Sequence, residues 1–282
     1  MVSINGSIRK QRIKVENIFM HIFLILLSVL AVVPFFWMFS SSLKFESDIF
    51  TIPIKWIPDA TMINYNKLFN EVSFIIYIFN SLKLTFITTV GQVFTSSIAA
   101  YSFAKLKFPG RDKLFLLYLS TLMIPWHAIM IPQFIIIKNL GLYDSHLSLI
   151  LLQLFNPFGV FILRQFFLSV PNELSEAARI DGYSEFGIYL RIMLPLSKAA
   201  LATLTIFVFK FVWNDYLGPL IYLNTENLFT IQIGLRSFFG ENKTEYGPVL
   251  AGSCLSVLPV LIIYVSAQKY FVQGIAISGL KG

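Results

Sequence analysis

The chain has 282 residues, of which 56% are hydrophobic and only 13% are charged, with 29 phenylalanines. Soluble globular proteins carry about 25% charged residues, so the composition excludes an ordinary soluble domain and indicates an integral membrane protein. The formal net charge is +7, but the densest basic group is only Arg9, Lys10, Arg12 and Lys14, which argues against a nucleic-acid partner. The lone cysteine, Cys254, excludes an intramolecular disulfide.

Six charge-poor segments meet or approach the ~20 mainly apolar residues that a bilayer span needs. They cover residues 18–39, 84–104, 114–137, 147–163, 199–221 and 246–268. The first is longer than the roughly 7–15 apolar residues of a signal peptide, and no small-residue cleavage site follows it. Pro125 and Pro132 predict kinks in the third segment. The sequence therefore predicts an all-α integral membrane protein with six transmembrane helices.

These spans form a single predicted membrane domain, residues 18–273, between an N-terminal arm (1–17) and a tail (274–282). The arm, the loops after the second and fourth spans and the residues after the sixth span carry fourteen Lys and Arg, whereas the opposite loops carry seven. Cytoplasmic loops are enriched in Lys and Arg, so we expect both termini in the cytoplasm. On the other side, residues 40–80 are too polar to span and long enough to form a small ordered cap.

The cytoplasmic loop 169–197, which we call the Glu176 module, is polar and has a helical pattern. Ser169 is the expected N-cap of its first helix, and Gly182 is expected to end that helix because glycine adopts positive φ. Ser184 can start a second helix. The loop therefore predicts a helix, a glycine turn and a second helix on the inner face of the membrane.

Ala177 and Ala178 leave a flat surface on the first helix, which another protein can approach closely. Glu173, Glu176 and Arg179 surround that surface with charges that can fix the register of a docked partner. The same residues also fit a solvated amphipathic loop helix. Helix physics alone leaves both interpretations open.

Polar side chains inside the predicted spans are candidates for a transport pathway, because such groups are costly in lipid and face a bundle interior or a cavity. They are Gln153 and Asn156 in the fourth span, and Lys210, Trp213, Asn214 and Asp215 in the fifth. Their alternative role is hydrogen bonding between helices. Lys210 can pair with Asp215, extend to the interface, or neutralise a group on a partner subunit.

No catalytic or metal site is expected on this chain. His21, His127 and His146 are isolated and lack the spacing of metal ligands. The glycine-rich loop that holds nucleotide phosphates is also absent from the sequence.

The spacing of Glu176-Ala177-Ala178, Gly182 and Ile192-x-Leu194-Pro195 resembles the signature of membrane subunits of bacterial ATP-binding-cassette (ABC) importers. Further segments are similar to the carbohydrate-importer branch of that family, and within it to the six-span type of the second maltose permease subunit. They are residues 80–82, 99–101, 108–111, 123–125, 131–132, 157–159, 163–167, 213–220, 268–274 and 280–282.

The resemblance implies the architecture of a type I ABC importer permease in a bacterial cell membrane. It implies three partners: a second, homologous permease, a cytoplasmic ABC ATPase dimer that holds ATP and Mg, and an extracellular or periplasmic sugar-binding protein. The substrate would be a sugar, with an oligosaccharide favoured, although the branch also takes monosaccharides, polyols and glycerol phosphates. The residues implied in ATPase coupling are Glu176, Ala177, Ala178, Asp181, Gly182, Ile192, Leu194 and Pro195.

Two other classes of protein compete with this interpretation. A self-sufficient secondary transporter or channel predicts inverted repeats or matching broken helices, which the sequence does not show. A membrane enzyme predicts clustered His, Asp or Cys near one interface, whereas these residues are scattered. Neither class explains the Glu176 module.

Overall fold

The computed structural model describes residues 3–240 and 244–279, with side chains for residues 17–240, 244–266 and 268. The side chains of the predicted basic arm and of Lys243, Lys269 and Lys281 therefore lie outside the described residues, as does the end of the tail. Within these bounds the chain is helical, and β-pairing is limited to an isolated bridge between Phe239 and Thr244. The predicted all-α class is confirmed.

The helices follow one another with short connections, and three of these connections contain a 3₁₀ turn. The helices are α1 Ser3–Ser42, α2 Ile63–Glu71, α3 Phe74–Lys105, α4 Arg111–Ser120, α5 Trp126–Asn139, α6 His146–Gln153, α7 Pro157–Ser169, α8 Asn172–Ile180, α9 Glu185–Ile188, α10 Leu194–Leu196, α11 Lys198–Trp213, α12 Leu217–Tyr222, α13 Ile231–Arg236 and α14 Tyr246–Gly279. A wide π turn, Tyr189–Met193, joins α9 to α10.

Four helical stretches are long and apolar enough to cross a membrane. They are Asn17–Ser42, Phe74–Lys105, His146–Ser169 and Tyr246–Ser266. Two further pairs qualify if each bent pair is one span: Arg111–Met123 with Trp126–Asn139, bent by 98°, and Glu185–Leu196 with Lys198–Trp213, bent by 81°. The described residues thus hold four to six membrane helices, in agreement with a six-span membrane fold.

The third predicted span breaks at Pro125 instead of bending gently. Ile124 is extended (ψ 112°), and Pro125 takes the N-cap position of α5. A proline disfavours helical geometry in the residue before it, which accounts for the break. Pro132 lies inside α5 without ending it, so only one of the two prolines separates helices.

The second span begins ten residues earlier than predicted, because its polar start finds hydrogen-bond partners far away in the chain. Asn80 donates to the carbonyls of Asn227 (2.8 Å) and Phe229 (3.0 Å). The Ser81 hydroxyl accepts from the backbone N–H of Ile231 at 2.9 Å. The predicted outer segment 40–80 is therefore shorter at both ends, since α1 continues to Ser42 and α3 starts at Phe74.

The fifth span, predicted to continue to residue 221, ends at Trp213. The Asn214 side chain donates back to the Lys210 carbonyl at 2.8 Å, and an Asp215 oxygen accepts from the Gly218 N–H at 3.0 Å. Short polar side chains that bond to nearby backbone groups compete with helix continuation. The chain accordingly turns and restarts as α12.

The chain divides into two compact units, Met1–Glu71 with Phe238–Leu255, and Val72–Ser237 with Ser256–Gly282. In the first unit, Asn64 donates to the carbonyls of Ser42 and Lys44, and the Glu46 carboxylate accepts from the N–H groups of Tyr246 and Gly247. The segment after α1 is therefore an ordered cap. In the second unit, the buried core gathers around α3, which packs mainly against α7 and α11.

Candidate functional site

The first half of the Glu176 module is a helix with a defined C-terminal cap. Beyond Ile180, the Gly182 N–H donates to the Arg179 carbonyl (3.1 Å) and the Tyr183 N–H donates to the Ala178 carbonyl (3.0 Å). Gly182 has φ +83°. This pair of bonds around a left-handed glycine is the Schellman motif, which supplies the predicted tight turn after α8.

The second half begins where the sequence predicted. The Ser184 hydroxyl accepts from the Gly187 N–H at 3.2 Å and caps α9. The predicted N-cap at Ser169 is wrong, because Ser169 is the last residue of α7 and its hydroxyl donates to the Phe166 carbonyl. Pro171 holds the N-cap position of α8 instead. A proline disfavours helical geometry in the residue before it, so Val170 is extended and separates α7 from α8.

The residues implied in coupling divide between two faces. Ala178 is buried (4% exposed), and Ile192 and Leu194 pack against the core of the second unit. The others are exposed: Glu176, Ala177, Asp181, Gly182 and Pro195. The two alanines therefore face different ways, and only Ala177 of the pair contributes to the exposed surface of the module.

An ion pair closes the turn between α8 and α9. Arg179 donates from Nε to Oε1 of Glu185 at 2.6 Å and from Nη2 to Oε2 at 3.3 Å. The hydrogen bond to this carboxylate raises the pKa of Arg179 above its ordinary value. Both side chains are partly exposed, so the pair orients the turn more than it stabilises the fold.

Beside the turn lies a notch of about 520 Å³. Tyr183, Phe186, Leu190 and Arg191 contribute to its lining, and the Arg191 guanidinium lies 5.4 Å from the centre of the Tyr183 ring. Close by in the chain, Ile180 is 87% exposed. The module therefore presents a mixed surface, on which exposed apolar side chains lie among polar and charged ones.

A second candidate site is a cavity of about 1090 Å³ within the second unit, which we call the Asp215 cavity. Five of the six residues predicted for a pathway line it: Gln153, Asn156, Lys210, Asn214 and Asp215. Trp213 does not line it. Its ring is buried, and its indole N–H donates to the Ser256 carbonyl at 2.9 Å.

Hydrogen bonds hold several polar groups of the cavity in place. Gln153 donates from Nε2 to Oδ2 of Asp215 at 3.0 Å. The Asn156 side chain accepts from the Phe158 N–H at 2.9 Å and caps α7. Among the described residues no ion pair joins Lys210 to Asp215, so the first of the three expected roles of Lys210 is not observed. Lys210 is exposed.

Several polar or aromatic residues of this cavity were not predicted from the sequence. Gln92 of α3 lines it, as do Trp126, Gln133 and Tyr222. The Gln133 side-chain carbonyl accepts from the indole of Trp126 (3.1 Å) and the hydroxyl of Tyr222 (3.5 Å). Gln92 and Gln133 are uncharged polar residues inside predicted spans, so the rule that selected Gln153 would also have found them. His127, an isolated histidine in the sequence, also lines the cavity.

In the described part of the chain, no three His, Cys, Asp or Glu side chains come close enough together to hold a metal ion. The side chains at the two sites offer hydrogen bonding, aromatic contact and charge.

Comparison with known proteins places these features in context. Residues 92–277 match the family model described as the inner membrane component of binding-protein-dependent transport systems. The arabinooligosaccharides transport system permease protein AraQ of Bacillus subtilis is 38% identical, over 95% of this chain and 97% of its own length. The lactose transport system permease protein LacG of Rhizobium radiobacter is 31% identical, over 93% and 96%.

Solved structures include a similar chain. A bacterial ABC transporter involved in the import of the acidic polysaccharide alginate contains a chain that is 25% identical, with a TM-score of 0.81. The alignment covers 92% of this chain and 97% of that one.

Proposed function

The chain belongs to the family of inner membrane components of binding-protein-dependent transport systems, and from this premise we propose that it forms half of the pathway of an ATP-driven sugar importer. The observation that carries the proposal is the Glu176 module, an exposed α8 closed by a Schellman turn at Gly182. A short helix connected to α7 and α11 can transmit the movement of a bound soluble partner to the membrane helices.

The partner for α8 is a cytoplasmic ABC ATPase, one subunit of a dimer that binds ATP and Mg. Glu176, Ala177, Asp181 and Gly182 form the exposed contact surface, and Ile180 adds an apolar anchor. Ala178, Ile192 and Leu194 act from the other side, because they seat the module on the membrane helices. Closure of the ATPase dimer then rocks the helices between two orientations.

The excess of Lys and Arg on the module's side supports its cytoplasmic placement, with both termini on the same side. The ordered cap after α1 then lies outside the cell, where an extracellular or periplasmic sugar-binding protein delivers the substrate. A second, homologous permease completes the pathway.

The Asp215 cavity supports a sugar as the substrate. Amide groups of Gln92, Gln153 and Asn214 can hydrogen-bond hydroxyl groups, and rings such as Trp126 and Tyr222 can cover the apolar faces of a pyranose. The volume of about 1090 Å³ lies just above the ~300–1,000 Å³ typical of ligand sites. An oligosaccharide therefore fits better than a monosaccharide, in keeping with the names of the similar arabinooligosaccharide and lactose permeases.

Purification through a tag on this chain, in a mild detergent and from its native membrane, tests the proposal. Mass spectrometry should identify an ABC ATPase and a second, different permease in the purified complex. A chain that purifies alone or only with itself, in a detergent that preserves such complexes, would favour the alternative of a self-sufficient secondary transporter or channel.

A further inference from the structure

The Glu176 module is bonded to α3, a helix that is distant from it in the chain. We propose that these bonds make α8 and α3 move as one body, with Glu185 and Tyr101 as positioning residues that carry ATPase motion to the Asp215 cavity. The inference rests on the proposed function and adds the route by which coupling reaches the cavity wall.

Glu185 is the central residue of this connection. Its Oε1 accepts from Arg179 of the α8 end, and its Oε2 accepts from the Tyr101 hydroxyl of α3 at 2.7 Å. Tyr101 is only 4% exposed. One carboxylate therefore joins three helices, and hydrogen bonds to an ionised group are about twice as strong as neutral ones.

A second bond holds the other end of α8. The Lys105 ammonium donates to the Val170 carbonyl at 2.6 Å and to Oδ1 of Asn172 at 2.8 Å. Asn172 is the first residue of α8. The helix is thus held to α3 both where it begins and, through Arg179 and Glu185, where it ends.

A third bond lies on the same face of α3. The hydroxyls of Ser97 and Tyr189 are 2.6 Å apart and buried. Ser97, Tyr101 and Lys105 recur every four residues, which places all three on one face of a helix. This face of α3 therefore forms hydrogen bonds with the module along about two helical turns.

These bonds matter because the chain itself does not join α3 to the module. The helices α7 and α11 flank the module in sequence, whereas α3 ends about 65 residues earlier and is linked to the module by packing against those two helices and by these bonds. Yet α3 carries Gln92 to the Asp215 cavity. Gln92 and Tyr101 are nine residues apart on an unbroken helix, or about 14 Å at 1.5 Å per residue.

The test measures whether α8 and α3 move together in the purified complex. Nitroxide labels at Glu173→Cys on α8 and Phe94→Cys on α3, both exposed positions, report their separation by pulsed electron resonance. The other cysteines of the complex, including Cys254, are replaced by serine. The distance distribution is compared without nucleotide and with the non-hydrolysable analogue AMP-PNP and magnesium.

We expect the nucleotide to leave the distance unchanged in the wild-type module, because the two helices move as one. In the Tyr101→Phe and Lys105→Met double variant, the nucleotide should shift and broaden the distribution, while the nucleotide-free distance stays as before. A merely structural role would alter the nucleotide-free distance or the assembly of the complex instead. Tyr118→Phe, at a partly buried tyrosine that packs against the same core as the buried Tyr101, is the control.

Tyr101→Phe alone, which removes a single hydroxyl, provides the comparison if the double variant does not assemble. A nucleotide-induced shift in the wild type, or an unchanged distance in both variants, would overturn the inference. A complex that contains no ATPase and binds no AMP-PNP would instead refute the proposed function, so the two failures are distinguishable.

Discussion

Substitution of Gly182 tests whether the Schellman turn after α8 has a coupling role beyond its contribution to stability. Its φ of +83° lies in the left-handed region, and a Cβ added there would meet nothing within 4 Å. Gly182→Ala therefore introduces backbone strain without a steric clash. That strain costs roughly 1–2 kcal/mol, which is a change of about 5- to 30-fold in the equilibrium between the capped and frayed end of α8.

Gly141 is a matched control for this strain. It follows α5 with φ +70°, has no atom within 4 Å of an added Cβ, and closes the same motif through bonds to the carbonyls of Lys138 and Ile137. Gly141→Ala should therefore cost about as much stability as Gly182→Ala, because both remove a left-handed glycine from the same type of cap.

The assay compares ATPase retention, thermal stability and sugar uptake for both variants. We expect equal losses of stability, but a loss of ATPase retention and uptake only with Gly182→Ala. Gly182→Asn should restore much of the activity because asparagine tolerates positive φ, and Gly182→Pro should abolish uptake because proline fixes φ near −65°. Equal uptake by Gly182→Ala and Gly141→Ala would refute the coupling role of this turn.

Three further variants test other parts of the account. Ile180→Glu should reduce the amount of ATPase retained in a pull-down without changing thermal stability. Ile57→Glu is the control, because Ile57 is about as exposed as Ile180 (85% against 87%), and it should retain the ATPase. Equal retention by the two variants would show that Ile180 is not part of the interface. Asn214→Ala should raise the half-saturating sugar concentration roughly two- to tenfold, the effect of one hydrogen bond, and unchanged uptake kinetics would make its role structural. The Asp144 carboxylate accepts from the Asn224 N–H and from the N–H and hydroxyl of Thr225, and these bonds, the Thr225 hydroxyl first, hold its pKa below the ordinary value. A carboxyl group whose pKa is lowered by folding stabilises the fold above its unfolded-state pKa of about 3.9, and this contribution is lost as the pH falls through the folded-state pKa. Asp144→Ala should therefore lower the melting temperature at pH 7, by an amount that shrinks only below about pH 4. A difference in melting temperature that disappears by pH 6 would contradict this.

The features that the sequence predicted well depend on local chemistry. The turn at Gly182 and the cap at Ser184 follow from glycine's access to positive φ and from a hydroxyl that accepts a nearby N–H. The membrane class follows from the apolar composition. Each of these properties is decided by residues within a few positions of one another.

The helix ends that the sequence predicted poorly depend on distant partners. The predicted charge-free span began at residue 84, directly after Lys83. The structure starts α3 earlier, where Asn80 donates to carbonyls about 150 residues away. Asp215, just after the end of α11, also binds Gln153 some 60 residues earlier, in addition to the nearby Gly218 N–H. Periodicity within a window carries no information about such pairs.

The candidate pathway shows the same limit. Polarity within a span selected Gln153 and Asn214, which line the Asp215 cavity, and also Trp213, which is buried against another helix. Polarity indicates that a side chain has a partner, and only the fold decides whether that partner is a cavity or a neighbouring helix.

The central claim is that this chain forms part of an ATP-driven pathway for a sugar. The most direct test is uptake of radiolabelled sugar into proteoliposomes that contain the purified complex, with the sugar-binding protein outside and ATP with magnesium enclosed. The account predicts uptake that requires both the enclosed ATP and the binding protein. Uptake that continues without ATP and follows an imposed proton or sodium gradient would contradict it.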